Sequence, residues 1–197
     1  MPAAKIDNRR DILLLLLYAP GKSGMINEPI VGRTRLVKML FLFKQEAMKH
    51  FRAGTEINDD NFYRFFAWDF GPFSTQVYDD LTFFILRGFV NPTATDEEPL
   101  PESAAEWQEW ISRTGASQNE EDIDPYEEEA FSLTEKGAVF TKQMYDLLSN
   151  TQRQLLQEFK TRLATAPLRA ILRYVYTTYP ATIVQSKIKE EVLGHGN

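Results

Sequence analysis

Apolar residues along this chain recur mostly at helical spacing, and glycine and proline interrupt them at a few defined points. The clearest case follows Asp69-Phe70-Gly71-Pro72-Phe73-Ser74, where Val77, Leu81, Phe84 and Ile85 stand at i, i+4, i+7 and i+8 and line one helical face. Gly71 admits backbone geometries closed to other residues, and Pro72 fixes φ and removes a donor, so a strand arriving from Phe62 is expected to stop here. Ser74 is placed to cap the helix and Gly88 to end it. The strand is read over residues 62–70, which hold Phe62, Tyr63, Phe65, Phe66, Trp68 and Phe70. Upstream, the leucine run within Ile12 to Tyr18 predicts a buried first helix capped by Asp7 or Asn8. From Thr34, Leu36, Met39, Leu40, Phe43, Ala47 and Phe51 predict a second helix. Its first turn carries Arg33, Arg35 and Lys38, which oppose the helix macrodipole, so either solvation or an anionic neighbour must account for them.

After Gly88, residues 89–92 read as a short strand whose partner is 130–133, and a helix follows from Glu135 to Leu148 with Phe140, Met144, Leu147 and Leu148 on one face. The connection between the two strands is nearly forty residues long, beyond the ~12–15 of ordinary loops, and so calls for structure of its own. Ser103 and Glu106 match a capping box ahead of Trp107, Trp110 and Ile111, which predicts a short amphipathic helix folded back on the domain surface. The last third reads as helices: one from Asn150 or Thr151 toward Ala166, one opened by Pro167 and closed at Tyr179-Pro180, and a short one over 186–193.

Charge changes this picture. The net charge is −6, yet between Pro92 and Ala130 thirteen acidic residues and a single basic one, Arg113, carry −12, which leaves +6 for the remaining body. A mildly basic body with one acidic segment is therefore expected. Composition is that of an ordinary globular chain, with 43% hydrophobic and 25% charged residues. Zero cysteines exclude disulfides and thiolate metal sites and fit a cytoplasmic location. The leucine run is far shorter than the ~20 residues a membrane span requires, so no membrane association is expected.

Little supports catalysis. The two histidines are His50, near the end of the second helix, and His195, in a glycine-flanked tail, so no Ser/His/Asp set can be assembled and no cysteine nucleophile exists. Gly21-Lys22-Ser23 lacks the upstream glycine of a phosphate-binding loop, since Leu16 stands there, and reads as a turn. The acidic segment lacks the spacing of a calcium loop. A non-enzyme with no metal and no cofactor is expected.

The order helix, helix, strand, turn, helix, strand, long connection, strand, helix is that of a winged helix-turn-helix whose third helix is the groove reader. The fold class is thus mainly α with a small β-hairpin (α+β): a winged-helix domain over residues 1–148, with an acidic wing insertion at about 93–128, and a C-terminal helical extension over 149–197. The stretches Gly32-Arg33-Thr34-Arg35-Leu36-Val37-Lys38-Met39-Leu40-Phe41-Leu42, Trp68-Asp69-Phe70-Gly71-Pro72-Phe73-Ser74, Leu133-Thr134-Glu135-Lys136-Gly137 and Arg173-Tyr174-Val175-Tyr176-Thr177-Thr178-Tyr179-Pro180 resemble those of the YwgA-like family of prokaryotic winged-helix proteins. More distantly they are similar to the SocA-like, or Panacea, antitoxin domain. The resemblance implies a regulator of a toxin–antitoxin or antiviral defence system, although the large acidic insertion departs from the compact wing of such folds.

Two functions follow as expectations. The first is transcription regulation by DNA binding, with Arg33, Arg35, Lys38, Arg64, Ser74, Thr75, Gln76 and Tyr78 as nucleic-acid contacts. The second is an adaptor or antitoxin-like subunit that binds a protein partner through Trp107 and Trp110 in the acidic segment, as a mimic of nucleic acid or as a cover over its own basic surface. The sequence sets no oligomeric state, a homodimer being one that it admits.

Overall fold

Local capping starts the fold where the pattern places it. In the computed structural model, residues 5–68, 71–114 and 128–183 are described. Helix α1 (Arg9–Tyr18) begins at Asn8, whose side chain accepts from the Arg10 amide at 2.9 Å, while Asp11 Oδ2 accepts from the Asn8 amide at 3.1 Å. Two otherwise orphaned donors are satisfied reciprocally. Every residue from Asp11 to Tyr18 is buried, as expected of a helix that is apolar on all sides.

Strand β1 (Ile30–Val31) leads into α2 (Arg33–Leu42), a π-helical turn (Phe43–Ala47) and α3 (Met48–Phe51). The second helix is therefore present but interrupted, and its first residue is Arg33. Strands β2 (Phe66–Trp68) and β3 (Gly71–Phe73) pair antiparallel, Phe66 with Phe73 and Trp68 with Gly71. This corrects the expected strand over 62–70, which is only three residues long within the described part; Gly71 and Pro72 lie inside its return strand instead of ending it. Asp69 and Phe70 lie outside the described residues. Gly71 has φ 93°, and a Cβ there would lie 2.7 Å from Tyr176 Cε1, so the glycine serves both backbone and packing.

Helix α4 (Thr75–Leu86) follows with Ser74 at its N-cap, although the Ser74 side chain makes no capping bond. It ends as expected. Phe89 N donates to Phe84 O at 2.8 Å and Gly88 N to Ile85 O at 3.0 Å, with Phe89 and Phe84 rings 6.0 Å apart, which is a Schellman ending. Strands β4 (Val90–Ala94) and β5 (Glu129–Leu133) pair antiparallel from Val90–Leu133 to Ala94–Glu129, so the expected pairing of 89–92 with 130–133 is present and longer. β1, which the sequence reading lacks, pairs with β5 and completes a sheet of order β1-β5-β4.

Within the long connection, α5 (Pro101–Thr114) starts two residues before the expected capping box, with Ser103 and Glu106 buried inside it. Residues 115–127 of the acidic segment lie outside the described part, as does the expected helix over 186–193. α6 (Glu135–Leu147) buries Gly137, Thr141 and Met144, whereas Phe140 and Leu147 are exposed, which corrects the expected face. α7 (Asn150–Thr165), α8 (Leu168–Thr178) and a short 3-10 turn (Pro180–Ile183) are the last elements among the described residues. The result is mostly helical with small antiparallel sheets, an α+β arrangement.

Buried polar side chains bind helix ends to the rest of the core. Lys160 Nζ donates to Leu17 O and Ala19 O, each at 2.8 Å, and so caps the C-terminus of α1. Gln152 Nε2 does the same for α3 through Phe51 O at 2.5 Å and Ala53 O at 2.9 Å. These contacts satisfy carbonyls that a helix end leaves without partners. They also fasten α7 to the N-terminal helices.

Candidate nucleic-acid interface

The basic first turn of α2 meets anionic and carbonyl groups from elsewhere in the chain. Arg33 Nη2 donates to Glu129 Oε2 at 2.9 Å, and its guanidinium lies 4.9 Å from the Trp107 ring and 5.1 Å from that of Phe131. Arg35 donates through Nε to Val31 O at 2.9 Å and through Nη1 to Leu163 O at 2.8 Å and Ala166 O at 2.5 Å, so it caps α7. Burial lowers its pKa from the ordinary arginine value. Lys38 is fully buried and donates to Pro72 O at 3.0 Å and to Glu106 Oε1 of α5. Burial pushes the Glu106 carboxyl above its usual value, against the opposing pull of Lys38, Thr34 and Tyr78.

Three of the expected nucleic-acid contacts, Arg33, Arg35 and Lys38, are therefore buried in the described structure and bonded internally. The physical reason is that each finds its partner far along the chain. Ser74 is fully buried and its Oγ has no hydrogen-bond partner among the described residues. Tyr78 is buried too, its OH 3.5 Å from Glu106 Oε2. Thr75 and Gln76 are half-buried, and Gln76 Oε1 accepts from the Arg64 amide at 3.0 Å. Only Arg64 of the expected set is an exposed cation.

The two tryptophans named as partner contacts are turned inward. Trp110 is buried, donates Nε1–H to Asp79 Oδ1 at 2.8 Å and packs 5.7 Å from the Tyr78 ring. Trp107 is half-buried, 5.1 Å from Trp110 and 6.5 Å from Tyr78. α5 thus folds back on the body, where its acid and aromatic groups cover the starts of α2 and α4.

What α4 leaves outward is different in kind. Asp79, Phe83 and Leu86 are its exposed residues, with Arg87 exposed just after its end, while Asp80 is buried and accepts from Arg9 Nε and Arg10 Nε, each at 2.7 Å. The Arg10 guanidinium stands 4.5 Å from the Phe83 ring and that of Arg87 5.5 Å. Beyond the Schellman turn, Lys136 Nζ donates to Arg87 O at 2.8 Å and lies 4.4 Å from the Phe89 ring, which packs 5.4 Å from Phe140. The sequence reading missed this group. A signal was present, because Phe83 and Leu86 are apolar yet fall outside the Val77, Leu81, Phe84 stripe.

Lys160 was missed likewise, although it interrupts the apolar face of Leu156, Phe159 and Leu163. Its pKa is lowered to about 7 by burial. Its donors are occupied by α1 carbonyls, so the group acts as a cap. Among the described residues no group of three or more His, Asp or Glu side chains is placed to hold a metal ion, and no helix is long and apolar enough to cross a membrane. Comparison with protein-family models, with curated proteins and with solved structures found no match to this chain.

Proposed function

We propose that this chain is a non-enzymatic winged-helix regulator that acts by binding a protein partner through the outward face of its third-position helix. Sheet order β1-β5-β4, with α1, α2 and α4 preceding the paired strands, supports the winged-helix assignment. The observation that carries the functional reading is the state of the cations: Arg33, Arg35 and Lys38 are buried and bonded internally, while the helix in the reader position presents Asp79, Phe83 and Leu86. Duplex affinity comes largely from cations that release counterions at phosphates, and an outward Asp79 opposes that approach. The resemblance to YwgA-like and Panacea proteins supports a toxin–antitoxin or defence setting, so products of neighbouring genes are the first partners to test.

The test is a titration of random-sequence duplex DNA by the full-length protein at about 50 and about 200 mM salt, together with affinity recovery of a stoichiometric partner from host cells. The expected result is a retained partner and no salt-sensitive duplex binding. Strong, salt-sensitive binding by the full-length chain overturns the reading.

One observation favours a second reading. Glu106 and Trp107 of α5 sit directly on Lys38 and Arg33, an arrangement in which the acidic insertion masks a nucleic-acid face. Duplex binding that emerges only when residues 93–128 are deleted supports this masked reader.

A further inference from the structure

We infer that the ridge made by the end of α4 and the start of α6 binds an acidic amphipathic helix of a partner protein. This rests on the protein-binding reading above and specifies its surface and chemistry. Leu86 is 81% exposed, Phe140 45% and Phe83 37%. Phe83 and Phe140 are joined through the buried Phe84 and the half-buried Phe89, since Phe83 lies 5.5 Å from Phe84, Phe84 6.0 Å from Phe89 and Phe89 5.4 Å from Phe140, while Leu86 stands about one turn beyond Phe83 on α4. Large apolar side chains left exposed on two adjoining elements mark interaction surfaces more than scattered single residues do.

Cations frame the ridge. Arg10 and Arg87 flank the Phe83 ring and Lys136 stands over that of Phe89. Arg9 and Arg10 share the single carboxylate of Asp80, and the Arg10 side chain remains 44% exposed, so a guanidinium edge is open to a second anion. Of the carboxylates nearby, Asp79 lies about one turn from Phe83 and two from Leu86 along α4 and is bonded to Trp110, and Glu135 precedes Lys136 in the first turn of α6, so the glutamates of an occupant would sit toward Arg10, Arg87 and Lys136 and away from Asp79. An occupant with leucine or phenylalanine at i, i+3, i+4 and i+7 and glutamates beside them would bury the apolar ridge and pair with Arg10, Arg87 and Lys136. Single-stranded nucleic acid fits less well, because guanidiniums already lie over the Phe83 ring and Leu86 offers no ring for stacking.

The test uses full-length protein and fluorescence anisotropy with four labelled probes: an amphipathic helical peptide with a leucine stripe and glutamate flanks, the same peptide with lysine flanks, the glutamate peptide with serine in place of leucine, and oligothymidine. The glutamate–leucine peptide is expected to bind at least about tenfold more tightly than the others. Leu86→Arg is expected to remove that advantage, with Leu86→Ser as the second variant should the first disturb folding, and Arg87→Glu/Lys136→Glu is expected to shift preference to the lysine peptide. Equal binding of both charged peptides, indifference to Leu86→Arg, or preferential oligothymidine binding overturns the inference. Concentration-dependent dimerisation abolished by Leu86→Arg also overturns it, by assigning the ridge to a second copy. If a host partner stays bound to Leu86→Arg while the peptides fail, this ridge is excluded and protein binding stands only at another part of the surface; salt-sensitive duplex binding by the full-length chain defeats the protein-binding reading itself.

Discussion

The Lys38–Glu106 pair offers the most direct measurement of how α5 is held. Both side chains are fully excluded from solvent. Glu106→Leu removes the carboxylate and leaves the Lys38 ammonium with only Pro72 O, at 3.0 Å, among its hydrogen-bond partners above. Breaking a buried pair on one side costs about 3–5 kcal/mol, since an uncompensated charge stays behind. Lys38→Met is expected to cost less, about 1–3 kcal/mol, because burial already favours protonation of Glu106 and the neutral acid keeps Thr34 and Tyr78 as neighbours. The double variant, with no charge left to bury, should fall within about 1 kcal/mol of the parent. Urea unfolding followed by far-ultraviolet circular dichroism and by tryptophan fluorescence measures all four corners, and Trp107 and Trp110 report directly on α5. With a urea slope of about 2 kcal/mol per molar, Glu106→Leu should lower the midpoint by about 2 M. A double variant no more stable than Glu106→Leu alone, or single variants that cost under about 1 kcal/mol each and simply add, would refute the reasoning.

Lys160 ties stability to pH. Its pKa is about 7 in the fold against 10.5 ordinarily, so the unfolded chain binds more protons between those values and stability rises with pH across that window; this contribution is present above 10.5 and is lost as pH falls toward 7. Urea titrations should find the parent protein gaining about 2 kcal/mol between about pH 7 and about pH 9 relative to Lys160→Met, and no such difference would discount the buried ammonium. At Gly137 a Cβ would lie 2.1 Å from the Phe89 carbonyl oxygen, which the turn after α4 and the Thr134 amide bond hold in place. Gly137→Ala should therefore destabilise by about 1–3 kcal/mol, despite alanine's better helix propensity, and a raised melting temperature would contradict this. Leu86→Arg, at a position with no burial to lose, should change stability by no more than about 0.5 kcal/mol in the same urea assay.

Elements whose signals lie within a turn of their own residues were readable without coordinates. The start of α1 at Asp7 or Asn8, the Gly88 ending of α4 and Pro167 ahead of α8 follow from neighbours in sequence, whereas the pairing of residues 89–92 with 130–133 was read from two short strands that flank one long connection. β1 was not readable, because two residues carry no periodicity and Ile30 becomes a strand only through Phe131. The expected nucleic-acid set shows the same limit more sharply. Arg33, Arg35 and Lys38 are basic residues at a helix start, and their types and spacing are compatible with a phosphate surface. Their partners are Glu129, Leu163 with Ala166, and Glu106, separated from them by 96, 128 with 131, and 68 residues. Sequence alone determined that this chain carries a basic body, an acidic segment and a helix beginning at Ser74. Tertiary structure decided that acid and base neutralise each other inside, leaving α4 to face outward with Asp79, Phe83 and Leu86, because a charge's role depends on which distant group folding brings within reach of it.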